Sequence, residues 1–294
     1  MKVLMTLFFI FPSIALAFKC PESPNSFSPQ KINYRKVFLV PGAGADEDEL
    51  YLGYIRYGKY FSIYSSELKK RKIPFEVIST FPTGNENIGQ RVEKLAEKIK
   101  NEPLPVLVIG HSIGGLVSRL VLRRPDIARK IAATVTISSP HQGTPLADWF
   151  LTDGPHTREL KILSKAFGFD LSQKAYIKEI SVMNKGEWNT DLDHASHIHN
   201  IFSVLSSQRP RDLMFSNAFF AAGDNVIREL VNSDKEYVSD GIVPVESQIW
   251  GECLLFEEEN HGSIIGKDVF HFPTRDVLPN ILNKLDQREI HFQR

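Results

Sequence analysis

Residues 106–119 read Val-Leu-Val-Ile-Gly-His-Ser-Ile-Gly-Gly-Leu-Val-Ser-Arg and carry the clearest structural signal in the chain. The first four form a continuous apolar run, which is typical of a strand buried on both faces of a parallel sheet. A predicted helix over 115–123 follows the Gly-His-Ser-Ile-Gly segment. A serine on a tight strand-to-helix turn flanked by glycines is the pattern of a nucleophile elbow. Ser112 is therefore the candidate nucleophile.

Strand-like and helix-like segments alternate on both sides of this turn. Apolar runs typical of strands occur at 37–40, 75–78, 131–137, 201–205 and 249–256, and helical periodicity occurs at 88–99 and 276–285. Strands that alternate with helices predict an α/β fold with a mostly parallel central sheet flanked by helices. We expect one such domain over residues 31–294.

The composition excludes several classes of protein. The 294 residues are 42% hydrophobic, and 35 basic residues balance 35 acidic ones. This is a globular composition, which excludes disordered, collagenous and coiled-coil chains. No basic block is long enough to follow a phosphate backbone, so nucleic acid is not an expected partner.

The N-terminal segment has the pattern of a signal peptide over residues 1–17. Lys2 is followed by an apolar run from Leu4 to Ile14 and by Ala15-Leu16-Ala17, a small-residue cleavage site. This run is too short for a transmembrane helix, which needs about 20 apolar residues. The pattern predicts an exported protein, secreted or periplasmic, with an irregular lead-in over residues 18–30.

Two cysteines, Cys20 and Cys253, remain after the predicted cleavage. In an oxidising compartment a single pair tends to form a disulfide, which would tie the mature N-terminus to the C-terminal part. Two alternatives stay open, namely lipidation of Cys20 and two free thiols. Phe18 and Lys19 argue against lipidation, because a lipoprotein site needs small residues there.

An activated serine needs a base and an acid, which follow it in the chain order Ser, Asp or Glu, His in this type of fold. His261 lies in a polar loop after the last predicted strand, and it is the candidate base. Asp240 precedes a glycine turn, Asp240-Gly241, and it is the candidate acid, although a plain surface turn would have the same pattern. The predicted catalytic set is Ser112, Asp240 and His261.

Ester hydrolysis also needs two donors for the developing oxyanion. One is expected to be the backbone N–H of Ile113, directly after the nucleophile, and the second should come from the loop after the first strand. That loop reads Pro41-Gly42-Ala43-Gly44-Ala45, and Ala43 N–H is the candidate, with a plain turn as the alternative.

No metal or cofactor is predicted. His194, His197 and His199 form a short cluster, but they lack the spacing of a zinc motif and have no nearby cysteine. We interpret them as solvated loop histidines rather than as a metal site.

Five motifs occur in order along nearly the whole mature chain, and together they resemble the secreted bacterial triacylglycerol lipases of the α/β-hydrolase superfamily. They are Pro-Gly-Ala-Gly at 41–44, Gly-His-Ser-Ile-Gly-Gly-Leu at 110–116, Ser-Pro-His-Gln-Gly-Thr-Pro at 139–145, Asp-Gly-Ile-Val-Pro at 240–244 and Asn-His at 260–261. The resemblance implies an α/β-hydrolase fold, the catalytic roles already given, and a structural rather than catalytic role for His141.

The chain departs from that family at two positions. Pro41 stands where the oxyanion loop commonly has a histidine. Ser263 stands where relatives with a structural calcium place an aspartate, so no calcium is expected.

The stretch from 146 to 192 corresponds to the family's helical lid. Its apolar face would contain Leu160, Ile162, Leu163 and Phe167, and Trp149-Phe150-Leu151 adds a bulky cluster. Such a segment can open at a lipid surface, but a helix pair packed on the core would have the same pattern.

Aromatic residues also recur three or four apart at Tyr51, Tyr54, Tyr57, Phe61 and Tyr64. They would line an acyl groove or pack in the core.

We therefore expect a serine ester hydrolase that cleaves lipid or other long-chain carboxylic esters through an acyl-enzyme. A lid that opens would let it act at a lipid–water interface. The alternatives are a phospholipase, a short-chain carboxylesterase, and a catalytically silent binding protein with a hydrolase fold. The sequence does not separate the first two from a lipase, because acyl-chain preference depends on groove dimensions.

Overall fold

The structure, a computed structural model, describes residues 20, 31–43, 45–46, 49–52, 55–78, 86–152, 175–182, 200–208, 218–232, 238–266 and 276–293. The strands are β1 (Ile32–Tyr34), β2 (Lys36–Val40), β3 (Ala45–Asp46), β4 (Glu49–Leu52), β5 (Ile55–Lys59), β6 (Phe75–Val77), β7 (Val106–His111), β8 (Ile131–Ile137), β9 (Ile201–Ser206), β10 (Glu252–Glu257) and β11 (Ile290–Phe292). The helices are α1 (Ser62–Lys70), α2 (Ile88–Lys100), α3 (Ile113–Leu120), α4 (Pro125–Ala128), α5 (Pro145–Leu151), α6 (Ala175–Glu179), α7 (Ala218–Val231), α8 (Val245–Gln248) and α9 (Val277–Asp286), with 3₁₀ turns at Val121–Arg123 and Ser263–Ile265.

The central sheet has six parallel strands in the order β10-β9-β8-β7-β2-β6. β7, which leads into Ser112, lies between β2 and β8, where Ile109 pairs with Leu39 on one side and with Val135 on the other. The side chains of a strand alternate between the two faces of the sheet. Accordingly, Leu107 and Ile109 join one buried cluster and Val108 joins the other.

Helices cover both faces of this sheet. α1 and α9 pack on the first face through residues such as Leu68 and Ile281, and α2 and α3 pack on the second through residues such as Leu95 and Val117. α2 begins at a capping box in which Asn87 and Gln90 bond reciprocally. The predicted parallel sheet flanked by helices is confirmed.

Two small sheets were not expected from the sequence. β3, β4 and β5 form an antiparallel meander directly after the oxyanion loop, and β1 pairs in parallel with β11. Cys253 lies in β10, at one edge of the central sheet, where a disulfide joins it to Cys20.

Two parts of the 146–192 segment, residues 146–152 and 175–182, lie among the described residues, and both pack on the core. Trp149 and Phe150 of α5 and Tyr176 of α6 are buried in the cluster on the second face. The carboxylate of Asp148 accepts from Ser181 Oγ and from the N–H of Val182, so it ties α5 to the chain after α6. Leu160, Ile162, Leu163 and Phe167 lie outside the described residues.

The structure describes the side chains of only some of the aromatic residues after the oxyanion loop. Phe61 and Tyr64 are buried in the cluster on the first face, as the core-packing alternative predicts. The side chains of Tyr51, Tyr54 and Tyr57 are not described. Within the described part of the chain, no helix is both long and apolar enough to cross a membrane.

Candidate active site

Ser112 lies at the turn between β7 and α3. Its φ of 56° is in the left-handed region, which a non-glycine residue adopts only where the surrounding structure holds it. Its N–H donates to Ile137 O at 2.9 Å, which ties the turn to β8. The strand-to-helix turn expected for a nucleophile elbow is therefore present, and it presents the Ser112 hydroxyl at the carboxyl end of the sheet.

The structure brings Ser112 and His261 together although 149 positions separate them in the sequence. His261 Nε2 lies 2.9 Å from Ser112 Oγ, and Nδ1 lies 2.8 Å from Asp240 Oδ2. An ionised carboxylate only accepts hydrogen bonds, so Nδ1 carries the proton and Nε2 accepts from the serine. Nε2 is thus oriented to take the serine proton.

Asp240 is fully buried, and four donors surround its carboxylate. Oδ1 accepts from the N–H groups of Ile242 and Val243 at 2.9 and 2.8 Å, within the turn that the sequence analysis identified. Oδ2 accepts from His261 and from Ser206 Oγ at 3.1 Å. A buried carboxylate is stable as an anion only when it is bonded in this way.

The loop that carries His261 is closed by the residues on either side of it. Asn260 Oδ1 accepts from the N–H groups of Gly262 and Ser263, both at 2.9 Å, and Asn260 N–H donates to Ser263 Oγ at 3.0 Å. His261 N–H donates to Asp240 O at 2.9 Å. Ser263 thus holds the histidine loop through hydrogen bonds.

The predicted oxyanion loop packs directly against the nucleophile. A Cβ added at Gly42 would lie 2.6 Å from Ser112 Cβ, so only glycine allows this approach. A Cβ added at Gly114 would lie 2.5 Å from Pro41 O, so α3 touches the same loop. Ile113 is the first residue of α3, and its N–H has no acceptor inside the helix. Ala43 follows Gly42 and is half-buried.

His141 is buried away from the reacting atoms. Its Nε2 lies 3.0 Å from Thr136 Oγ1, and its carbonyl accepts from Arg119 Nη1 at 3.1 Å. Burial, followed by the nearby charge of Arg119, holds the pKa of His141 well below its usual value. These contacts support a structural role for His141.

Three polar residues near the site were not found from the sequence. Ser206, Ser138 and Tyr60 each place a hydroxyl within hydrogen-bond distance of a site residue or of its immediate support. Each lies at the end of a strand, or just before a helix, with no motif around it, so only the fold reveals its position.

Among the residues that the structure describes, no group of three or more His, Cys, Asp or Glu side chains is placed to hold a metal ion. His194, His197 and His199 lie outside those residues.

Comparisons of the sequence with known proteins find partial matches. A family model, the PGAP1-like alpha/beta domain, matches residues 85–217. A 62-residue stretch is 42% identical to the GPI inositol-deacylase of Kluyveromyces lactis, and it covers 20% of this chain. The match spans only 6% of the length of that yeast protein.

Solved structures share the fold over most of the chain. The Bacillus licheniformis lipase BlEst2 superposes with a TM-score of 0.56 at 17% identity, over 83% of this chain and 90% of the lipase. The metagenomic carboxyl esterase MGS0156 superposes with a TM-score of 0.57 at 15% identity, over 92% and 81%. The chain therefore has the α/β-hydrolase fold of these structures.

Proposed function

We propose that the protein is a serine carboxylic ester hydrolase that cleaves lipid or other long-chain esters through an acyl-enzyme intermediate. The hydrogen-bonded series from Ser112 Oγ through His261 to Asp240 carries this proposal. This arrangement activates a serine hydroxyl, because the histidine accepts its proton and the carboxylate stabilises the imidazolium that forms.

In the first step, Ser112 Oγ attacks the ester carbonyl while its proton moves to His261 Nε2. The carbonyl oxygen becomes an oxyanion, and the N–H groups of Ala43 and Ile113 are the proposed donors that stabilise it. The packing of Gly42 against Ser112 supports this assignment, since it places the loop beside the nucleophile.

In the second step, the C–O bond to the alcohol breaks, and His261 returns its proton to the leaving oxygen. The acyl group remains on Ser112. A water molecule then attacks this ester with His261 as the base, the acid leaves, and Ser112 regains its proton. Asp240 stays ionised throughout and holds the imidazole in one orientation.

A fluorophosphonate ester distinguishes this function from a catalytically silent binding protein. We expect one covalent adduct per chain on Ser112 in the wild type and none in Ser112→Ala. Intact mass and peptide mapping measure both. An unlabelled wild-type protein with a native circular dichroism spectrum would overturn the proposal.

The substrate proposal concerns the acyl chain. A series of p-nitrophenyl esters from C2 to C16, followed by triacylglycerol emulsions, should show the highest kcat/KM for the long chains. Preference for C2 or C4 would instead identify a short-chain carboxylesterase.

The match to a protein named GPI inositol-deacylase favours a second candidate, an esterase for acyl chains on an inositol lipid. Release of fatty acid from an acylated inositol lipid faster than from a triacylglycerol with the same chain would identify this activity.

We also propose that the 146–192 segment is a lid. The rate should then rise where the substrate passes its solubility limit and forms droplets. Leu163→Glu and Phe167→Glu should reduce that rise while activity on soluble short esters stays. Loss of stability with an unchanged ratio of long-chain to short-chain activity would identify a packed helix pair instead.

Export of the protein after cleavage of residues 1–17 is a further proposal. The Cys20–Cys253 disulfide supports it, since such bonds persist in oxidising compartments. N-terminal sequencing of the mature protein should begin at Phe18. A retained Met1, or a lipid on Cys20, would contradict it.

A further inference from the structure

A second series of hydrogen bonds crosses behind the proposed triad. The Tyr60 hydroxyl lies against Gly42, where an added Cβ would be 2.6 Å from its oxygen, and it lies 2.7 Å from His111 Nδ1. His111 Nε2 in turn lies 2.9 Å from the backbone carbonyl oxygen of His261. The series therefore runs from the oxyanion loop, through the residue before the nucleophile, to the backbone of the proposed base.

The chemistry of the two ends fixes the direction of every bond. The His261 carbonyl can only accept, so His111 Nε2 carries the proton and Nδ1 is left as an acceptor. The Tyr60 O–H then donates to Nδ1, and its oxygen is left as an acceptor beside the Gly42 backbone. If Nδ1 carried the proton instead, the lone pair of Nε2 would face the lone pairs of the His261 carbonyl oxygen. Only the tautomer with the proton on Nε2 therefore gives every group a partner. Burial, followed by the nearby His261, keeps the pKa of His111 well below its usual value, in agreement with a neutral ring.

The position of Gly42 gives this series a role at the site. Pro41 has no N–H, so Gly42 carries the first donor of the oxyanion loop. The Tyr60 hydroxyl lies against Gly42, and the next residue in the loop is Ala43. A Cβ at Gly42 would lie 2.6 Å from the Tyr60 hydroxyl as well as from Ser112 Cβ, so the loop is held between them. Tyr60 is 3% exposed and His111 is 2% exposed, which shields both bonds from water.

We propose that Tyr60 and His111 are positioning residues that hold the oxyanion loop and the backbone of His261 in place around Ser112. This inference rests on the proposed hydrolase function. It predicts that loss of the Tyr60 hydroxyl misplaces donors that act mainly in the transition state, and such donors affect kcat more than KM.

Tyr60→Phe is the primary test, because it removes one oxygen and keeps the ring in its core position beside Phe61. We expect kcat to fall about 10- to 100-fold, with KM changed by less than about threefold. Tyr64→Phe is the matched control. It removes an equally buried hydroxyl from the same segment, one that donates to Ile264 O at 3.1 Å and does not contact the oxyanion loop. Its kcat should stay within about twofold, with a similar fall in melting temperature.

A double-variant cycle tests whether the two residues act together. Tyr60→Phe combined with His111→Gln should lose little more than the larger single loss, because either change breaks the series. Tyr64→Phe combined with His111→Gln should instead show multiplied effects. If Tyr60→Phe is too unstable to assay, the kcat and KM of His111→Gln against Tyr64→Phe decide the question in the same way.

Wild-type turnover and Ser112 labelling keep this test separate from the proposed function. If the wild type hydrolyses esters and Tyr60→Phe keeps a kcat within twofold, the positioning role is wrong while the hydrolase function stands. Equal losses of kcat in Tyr60→Phe and Tyr64→Phe would also overturn it, since they would reflect general destabilisation.

Discussion

The Ser206 hydroxyl donates to Asp240 Oδ2 at 3.1 Å, the same carboxylate oxygen that accepts from His261 Nδ1. Ser138 Oγ lies 2.6 Å behind Ser206 Oγ and donates to it, because the Ser206 proton is directed at the carboxylate. Both serines are fully buried. The charge of Asp240 is thus stabilised by a polar column at the carboxyl ends of β8 and β9.

Ser206→Ala should lower kcat by about tenfold, because a hydrogen bond to a charged group contributes about 1.5–3 kcal/mol and about 1.4 kcal/mol corresponds to a factor of ten in rate. Ser203→Ala is the matched control. It lies in the same strand, it is equally buried, and among the described residues its hydroxyl has no partner. Equal kcat values for the two variants would show that Ser206 does not support the acid.

Asp240→Asn should lower kcat by about ten-thousandfold, since an amide leaves His261 without the acceptor that fixes its tautomer. Glu246, on α8, is the nearest acidic residue in sequence after Asp240, and it is exposed. Glu246→Gln should therefore keep nearly full activity. A greater loss of kcat in Glu246→Gln than in Asp240→Asn would show that Asp240 is not the catalytic acid.

The sequence predicted those parts of the fold whose signal is local. The runs at 131–137 and 201–205 coincide almost entirely with β8 and β9, because a short and largely apolar run is typical of a strand buried in a parallel sheet. The meander β3-β4-β5 and the pairing of β1 with β11 were missed. Their strands are two to five residues long, and they depend on partners rather than on an apolar pattern of their own.

In the site, too, the residues predicted from the sequence are those with a local motif. Ser112, Asp240 and His261 carry turn and loop motifs, so their candidate roles could be read from the chain. Tyr60 lies 51 positions from His111 and 18 positions from Gly42 in the sequence, yet its hydroxyl contacts both residues. No local pattern encodes such a contact, since only the docking of α1 beside the sheet brings the hydroxyl there.

Chelation should leave both activity and melting temperature unchanged. Ser263 Oγ accepts from Asn260 N–H at 3.0 Å and donates to Asn260 O at 3.3 Å, so hydrogen bonds close the loop that carries His261. Differential scanning fluorimetry with EDTA and with added calcium measures this. A fall in melting temperature that calcium reverses would reveal a metal site.

The protein should lose stability as the pH falls from 7 to 5. Burial lowers the pKa values of His111 and His141 below the unfolded value of about 6.5, so the unfolded chain binds protons that the folded chain does not. Stability is therefore present above that pH and decreases below it, by up to about 1.4 kcal/mol per pH unit for each histidine. Urea unfolding at three pH values measures the slope, which should be shallower in His141→Gln.

His291 serves as a control because its pKa is shifted in the opposite direction, upward. Hydrogen bonds from its ring to Glu289 and then to Asp286 raise its pKa, so its small contribution is present at low pH and decreases as the pH rises. His291→Gln should leave the loss on acidification at least as large as in the wild type. A flat stability profile between pH 7 and 5 in the wild type would mean that the two buried histidines titrate normally.

The Cys20–Cys253 disulfide should stabilise the fold without taking part in turnover. It spans 233 positions, and the chain-entropy model gives a bond across so long a loop a stabilisation of up to about 5 kcal/mol through its restriction of the unfolded chain. It also joins the N-terminal segment to the edge strand β10, which precedes the His261 loop. The double variant Cys20→Ser with Cys253→Ser should unfold at lower urea, yet keep kcat within about twofold at 25 °C.

Alkylation before and after reduction provides the chemical check. The unreduced, unfolded protein should take up no label, and the reduced protein should take up two, as measured by intact mass.

Comparison of the double variant with the reduced wild type then separates the effect of the bond from that of the side chains, because both lack the crosslink but only the variant lacks the sulfur atoms. If their urea midpoints agree with that of the oxidised protein, the crosslink contributes nothing to stability. A large loss of kcat in a folded double variant would instead mean that β10 needs this anchor to place His261.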